Sequence, residues 1–131
     1  MIVIDSSALV AILRNELDAL LFAEAIGAAD SAIVSAVNCF ETSLVLAGSA
    51  HGETVCIPLD SLLIRAKIAV IPFDAEQARF ARAALLKYGK GRHPAALNFG
   101  DCAAYALAKS RNIPLLYKGA DFTRTDIVSA L

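Results

Sequence analysis

The chain has 131 residues, 57% hydrophobic and 19% charged, which excludes a disordered or low-complexity polypeptide and predicts a single domain, 1–131. Its longest stretch without a charged side chain is the 11 residues Thr42–Gly52, well short of the ~20 apolar residues that a bilayer span needs. The net charge of −1 hides an imbalance: residues 1–75 hold 3 basic and 9 acidic side chains and residues 76–131 hold 9 and 4, the pattern of an acidic site beside a basic surface.

In chain order, Met1–Ile4 is a short β-branched run ending at Asp5 and reads as a strand. Ser6 or Ser7 is expected to cap a short helix over Ala8–Leu13, and the Ala/Leu-rich Leu17–Ala28 reads as a second helix. Ala32–Val34 is the next strand, followed by Ser35 as the cap of a helix through about Ala47. Residues 53–66 read as helical, with Pro58 either kinking that helix or opening its second half. Ala69–Ile71 predicts a third strand. Asp74 and Gln77 then have capping-box spacing, ahead of a helix with Ala78, Ala81, Leu85 and Tyr88 on one face. Gly89–Pro94 is a loop by composition, a helix starts at Gly100-Asp101 and stops at Asn112, and Pro114–Tyr117 predicts a fourth strand. Short strands alternating with helices specify an α/β fold with a parallel sheet.

Four acids stand out against this frame. Asp5 closes the first strand and Asp121 follows the fourth, which puts both at carboxyl ends of strands, where open α/β sheets bind ligands. Asp101 lies in the first turn of the helix before the fourth strand. Glu41, four residues after Val37 and three before Leu44, puts a carboxylate on an otherwise apolar helix face. Each has a plain structural reading: Asp101 offsets a helix dipole, Asp5 caps a helix, Asp121 is a turn residue, and Glu41 lies at a rim or pairs with an arginine. Together they describe mutually repelling carboxylates that a hard cation, Mg²⁺ or Mn²⁺, would relieve, and such an ion serves phosphodiester hydrolysis. No His-x-x-x-His, Gly-rich phosphate loop or nucleophile elbow competes with them. Cys39, Cys56 and Cys102 share no metal or redox spacing and read as small buried thiols in a reducing cytoplasm.

Ile4-Asp-Ser-Ser-Ala-Leu9, Ser35–Glu41, Leu97-Asn-Phe-Gly-Asp-Cys102 with Tyr105–Ala108, and Pro114–Phe122 resemble, in order and spacing, the PIN-domain ribonucleases and most closely the VapC toxins of VapBC toxin–antitoxin modules. The resemblance covers essentially the whole chain and implies a central parallel sheet of four to five strands flanked by helices. It also implies a metal-dependent endoribonuclease acting on RNA such as tRNA or rRNA. By that resemblance Asp5, Glu41, Asp101 and Asp121 form the acidic quartet that holds Mg²⁺ or Mn²⁺, with Asp5 and Asp101 as principal ligands and Ser7 steadying Asp5. Gly119 stands where many relatives carry a further acid, and Asp126 is the other carboxylate at that corner. A homodimer and a VapB-type antitoxin are the implied partners. Affinity for an RNA backbone comes from cations, and Lys87, Lys90, Arg92 and His93, then Lys118 and Arg124, are the candidates. A receiver domain would need an acid pair where Asp5 is followed by Ser6-Ser7, and an Asp-x-Asp phosphatase fails at Ser7. The alternative is a catalytically silent PIN-like module that only binds protein or RNA.

Overall fold

In the computed structural model, which describes residues 1–131, four parallel strands form one sheet in the order β3-β2-β1-β4. They are β1 (Ile2–Ile4), β2 (Ala32–Ser35), β3 (Ile68–Ile71) and β4 (Leu115–Leu116). Helices α1 (Ser6–Leu13) and α2 (Ala19–Ala28) connect β1 to β2, α3 (Ala36–Ser49) and α4 (Ile57–Arg65) connect β2 to β3, and α5 (Ala75–Tyr88) and α6 (Phe99–Arg111) connect β3 to β4. The chain leaves β1 toward one side of the sheet and returns for β4 on the other. The strand order therefore reverses between β1 and β4, and the carboxyl ends of strands beside such a switch point are where these folds gather their chemistry.

Helices cover both faces of β1, β2 and β4, as parallel strands require, while the edge strand β3 leaves Ala69 and Val70 exposed. Side chains alternate along each strand, so Val3, Ile33 and Leu115 point to one face, where they meet Ala104, Leu107 and Ala108 of α6 and Ala84 and Tyr88 of α5. Ile2, Ile4, Ala32, Val34 and Leu116 point to the other, against Leu9 of α1, Phe22 and Ile26 of α2 and Leu59 of α4. The pairing Val3↔Ile33 and Val3↔Leu115 holds these rows in step, since a slip of one residue would exchange the two cores. The C-terminal tail continues the β4 edge through a single parallel bridge, Leu115↔Ser129. No helix is long and apolar enough to cross a membrane.

Several local expectations are corrected. Asp5, not Ser6 or Ser7, caps α1: it is extended at φ −80°, ψ 156°, and its carboxylate accepts the Ser7 N–H. The second helix starts at Ala19 rather than Leu17. Residues 53–56 form turns, and Pro58 opens α4 from its first turn, where its missing N–H costs nothing. Asp74 does cap α5 by accepting the Gln77 N–H, but Gln77 turns away to donate to Ser110 Oγ at 2.6 Å, so the reciprocal half of the capping box is absent. That bond pulls the buried face of α5 round to Gln77, Ala84 and Tyr88, with Ala81 against the core and Leu85 left 45% exposed. The last helix starts at Phe99, because Asn98 caps it. The fourth strand is only two residues long. Cys102 is buried, whereas Cys39 and Cys56 are only half-buried; all three are free thiols.

Candidate metal centre

Three chain segments meet beyond the carboxyl ends of β1 and β2: the start of α1, the second turn of α3 and the N-terminus of α6. Asp5 is their deepest acid, 3% exposed. Its Oδ2 accepts the Ser7 backbone N–H at 3.0 Å and the Ser7 hydroxyl at 2.5 Å. Ser7 Oγ in turn accepts the Lys118 backbone N–H at 2.9 Å, which ties the chain just past β4 to the start of α1. Asp5 Oδ1 is buried and has no partner at all. A lone carboxylate oxygen in that position is costly unless a proton or a cation reaches it.

Asp101 occupies the third position of α6 and forms a complete capping box with Asn98. The Asn98 side chain accepts the Asp101 N–H at 2.9 Å, and Asp101 Oδ2 accepts the Asn98 N–H at 3.0 Å. This leaves Oδ1 of Asp101 uncommitted by that box, so helix capping and a ligand role are compatible on one side chain. Glu41 does not lie on an apolar face as its spacing suggests: the buried positions of α3 are Asn38 and Thr42, while Leu44 is 58% exposed. The Glu41 carboxylate instead rests against Gly100, occupying the space that a Cβ there would need. Its Oε1 accepts the Ser6 hydroxyl at 2.5 Å. Asp121 begins a 3₁₀ turn, Asp121–Arg124, and is exposed at the rim.

Electrostatics follow from this placement. Burial pushes the Asp5 carboxyl up to about 7 from its ordinary 3.8, against the opposing pull of its two Ser7 hydrogen bonds, with repulsion from Asp101 and Glu41 adding to the rise. Burial likewise lifts Asp101 to about 6, opposed by the Asn98 N–H and reinforced by Asp121 and Glu41. Asp5, Glu41 and Asp101 therefore form the inner group, and Asp121 is felt chiefly through Asp101. No three of the chain's carboxylate, imidazole and thiol side chains close into a ready-made ligand cage. An open set of oxygen donors with one orphaned buried oxygen fits Mg²⁺ or Mn²⁺, which take one or two carboxylates and keep several waters, and not a Cys/His zinc site. Asp126 plays no part here: it accepts the Tyr105 hydroxyl at 2.7 Å and pairs with Lys109 at 2.6 Å. Lys109 lies eight residues along α6 from Asp101, about 12 Å at helical rise.

The candidate cations differ in their freedom. Lys90, Arg92 and Arg124 are exposed and pair with no carboxylate. Lys118 is engaged, its Nζ lying 2.7 Å from Glu16 and 3.2 Å from Asp18. Lys87 lies 5.0 Å over the Tyr88 ring. His93 Nδ1 accepts the Ala95 N–H at 3.0 Å and the ring meets Tyr88 edge-on, so this imidazole braces its own loop. Ser6, Asn38 and Gly100 join the site, although the sequence marked Ser6 only as a helix cap and Gly100 only as a helix start, and gave Asn38 no role. The available signal was an asparagine three residues before Glu41, on the same face of an apolar helix.

A parallel α/β sheet with carboxylates gathered beyond its strand ends, and the Ser6 and Ser7 hydroxyls both donating to them, defines a domain with an acidic centre. The PIN domain profile matches residues 2–128, and the chain belongs to the PIN domain family, within its VapC branch. It is 45% identical to Ribonuclease VapC28 of Mycobacterium tuberculosis over 130 residues, 98% of this chain and 97% of that protein. It is 47% identical to Ribonuclease VapC of Mycolicibacterium smegmatis over 127 residues, 97% of this chain and 98% of that one. Among solved structures, the fold is similar to that of Mycobacterium tuberculosis VapC20, described as a Sarcin-Ricin loop cleaving toxin, with a TM-score of 0.77, 16% identity and coverage of 98% and 97%. VapBC2 from Rickettsia felis, bound to a DNA fragment from its promoter, matches with a TM-score of 0.73, 20% identity and coverage of 98% and 96%.

Proposed function

We propose that this chain is the toxin of a toxin–antitoxin pair, a Mg²⁺- or Mn²⁺-dependent endoribonuclease that hydrolyses phosphodiester bonds of a structured RNA such as tRNA or rRNA. The observation that carries the reading is the buried, unpartnered Oδ1 of Asp5 within a group of mutually repelling carboxylates, in a chain 45–47% identical to VapC ribonucleases along its whole length. Asp5 and Asp101 would be the principal ligands, with Glu41 and Asp121 completing the oxygen-rich surround. When bound, the cation supplies Lewis acidity toward the scissile phosphate and the attacking water. The chain's own contribution is positional. Ser7 fixes Asp5, the capping box fixes Asp101, and Ser6 fixes Glu41. The partners of this reading are a VapB-type antitoxin and a second copy of the chain. Exposed Leu17, Leu20 and Leu21 around α2 and Ile57 and Ile64 on α4 offer apolar surface for partners to cover. The deciding experiment is cleavage of total tRNA and rRNA by purified protein. Activity should need Mg²⁺ or Mn²⁺ and be lost in Asp101→Asn, and cleavage that persists in excess EDTA would overturn the reading.

Substrate binding is separable from chemistry. Lys90 and Arg92 sit in an exposed loop opened by the positive φ of Gly91 (+83°) and have no carboxylate partners. If both neutralise phosphates, replacing them with Ala should flatten the dependence of log affinity on log salt by roughly 0.7–0.9 for each phosphate no longer neutralised. The rate at saturating RNA should change little. An unchanged salt slope would remove this loop from the RNA interface.

A further inference from the structure

Asn38 is the third residue of α3 and wholly buried, although Ser35 already caps that helix and no solvent reaches the amide. Both of its amide hydrogens are committed: Nδ2 lies 3.0 Å from Ser6 Oγ on α1 and 3.0 Å from the Gly100 carbonyl oxygen in α6. The carbonyl can only accept, so the amide orientation is fixed, because a flip would set oxygen against oxygen. Ser6 Oγ, once it accepts from Asn38, has one hydrogen left to give. Two acceptors are in reach, Glu41 Oε1 at 2.5 Å and the Asn38 backbone carbonyl oxygen at 3.2 Å, and the shorter bond runs to the carboxylate. The result is a directed chain, Asn38 N–H to Ser6 O–H to Glu41, with a branch that anchors the residue preceding Asp101. Asn38 Oδ1 is left buried and unsatisfied, a cost that an apolar side chain in this position would not carry. Packing alone therefore gives no reason for an amide here, whereas alignment of the acidic group does.

We propose that Asn38 and Ser6 are positioning residues for the acidic centre, holding Glu41 beside the N-terminus of α6 so that Glu41 and Asp101 present their carboxylates to one divalent cation. The proposal rests on the metal-site reading above and goes beyond it, since neither side chain is a ligand. The test is calorimetric titration of Mn²⁺ into RNA-free wild type, Ser6→Ala, Asn38→Ala and the double variant, alongside thermal melts in EDTA. The dissociation constant for Mn²⁺ should rise roughly 10- to 100-fold in Ser6→Ala, the range for removing an outer-shell hydrogen bond. The same rise is expected in Asn38→Ala, where the Ser6 hydrogen loses its direction. The double variant should bind no more weakly than the weaker single one, because the two act as one chain. Should Asn38→Ala fail to fold, Ser6→Ala decides alone. Wild-type affinity retained in Ser6→Ala, or additive losses in the double variant, would overturn the positioning role while leaving the metal site standing. Wild type that binds no Mn²⁺ would overturn both.

Discussion

Asp5→Asn is expected to abolish metal-dependent RNA cleavage and, in metal-free protein at pH 8, to raise the unfolding midpoint by roughly 10 °C. The first effect follows from removing the deepest oxygen donor. The second follows from burial. In the native protein the Asp5 carboxyl titrates at about 7, against an ordinary 3.8 once unfolded. Between those values the native state holds a proton that the unfolded state has lost, so stability falls as pH rises, by about 1.4 kcal/mol per pH unit for this group. Below about pH 4 both states are protonated and the penalty vanishes; above about pH 7 it is at its full value. Asn carries no charge to bury, still caps α1 and still accepts from Ser7, so it escapes the penalty. Its advantage should reach about 2–4 kcal/mol at pH 8 and shrink toward zero near pH 4. Melts of both proteins in EDTA across that range check the sign, and an advantage independent of pH would show that burial of charge is not its source. Mn²⁺ should restore wild type and leave the variant unmoved, because only binding to the native state shifts the equilibrium.

That cost explains what could and could not be read from the chain. Strands were legible as short apolar runs at Met1–Ile4, Ala32–Val34 and Ala69–Ile71, each within a residue of the strand observed, although β3 is an edge strand with Ala69 and Val70 exposed. Asp5, Asp101 and Asp121 were legible because they follow strands or open a helix, the positions that topology brings together, whereas Glu41, in the second turn of α3, stood out only as a carboxylate among apolar neighbours. What stayed hidden is side-chain commitment. Nothing local tells that Gln77 forsakes its own cap for Ser110, 33 residues on, or that Lys118 is drawn to Glu16 and Asp18, about 100 residues back. Ser6 was hidden for the same reason. It looks like a helix cap beside Asp5, and only the packing of α3 on α1 turns it into a donor to Glu41. The periodic reading of α3 failed because its two fully buried positions, Asn38 and Thr42, are polar, while Cys39 and Leu46 pack only partly buried against the core.

Gly100→Ala is expected to cost roughly 10- to 100-fold in cleavage rate at fixed metal concentration with almost no change in stability. Gly100 is the second residue of α6, buried, and immediately precedes Asp101. The three atoms nearest to a Cβ there are the two carboxylate oxygens and the carboxylate carbon of Glu41. The collision is thus with the far end of a flexible side chain, which can swing aside. In doing so Glu41 must leave the Ser6 hydroxyl, which removes one charge-assisted hydrogen bond worth about 1.5–3 kcal/mol. Two gains offset much of that loss: alanine is favoured over glycine in a helix by about 1 kcal/mol, and one carboxylate moves away from Asp5 and Asp101. The helix itself has no reason to shift, since Gly100 has ordinary negative φ and its carbonyl still accepts from Asn38. Stability and activity should therefore part company at this residue. Urea unfolding in EDTA should give a free energy within about 1 kcal/mol of wild type, while Mn²⁺ titration of the cleavage rate should show a markedly weaker half-saturation. Full activity in Gly100→Ala would mean that Glu41 does not need to stand beside α6 for the reaction. A large loss of stability would mean that the Glu41 side chain cannot move.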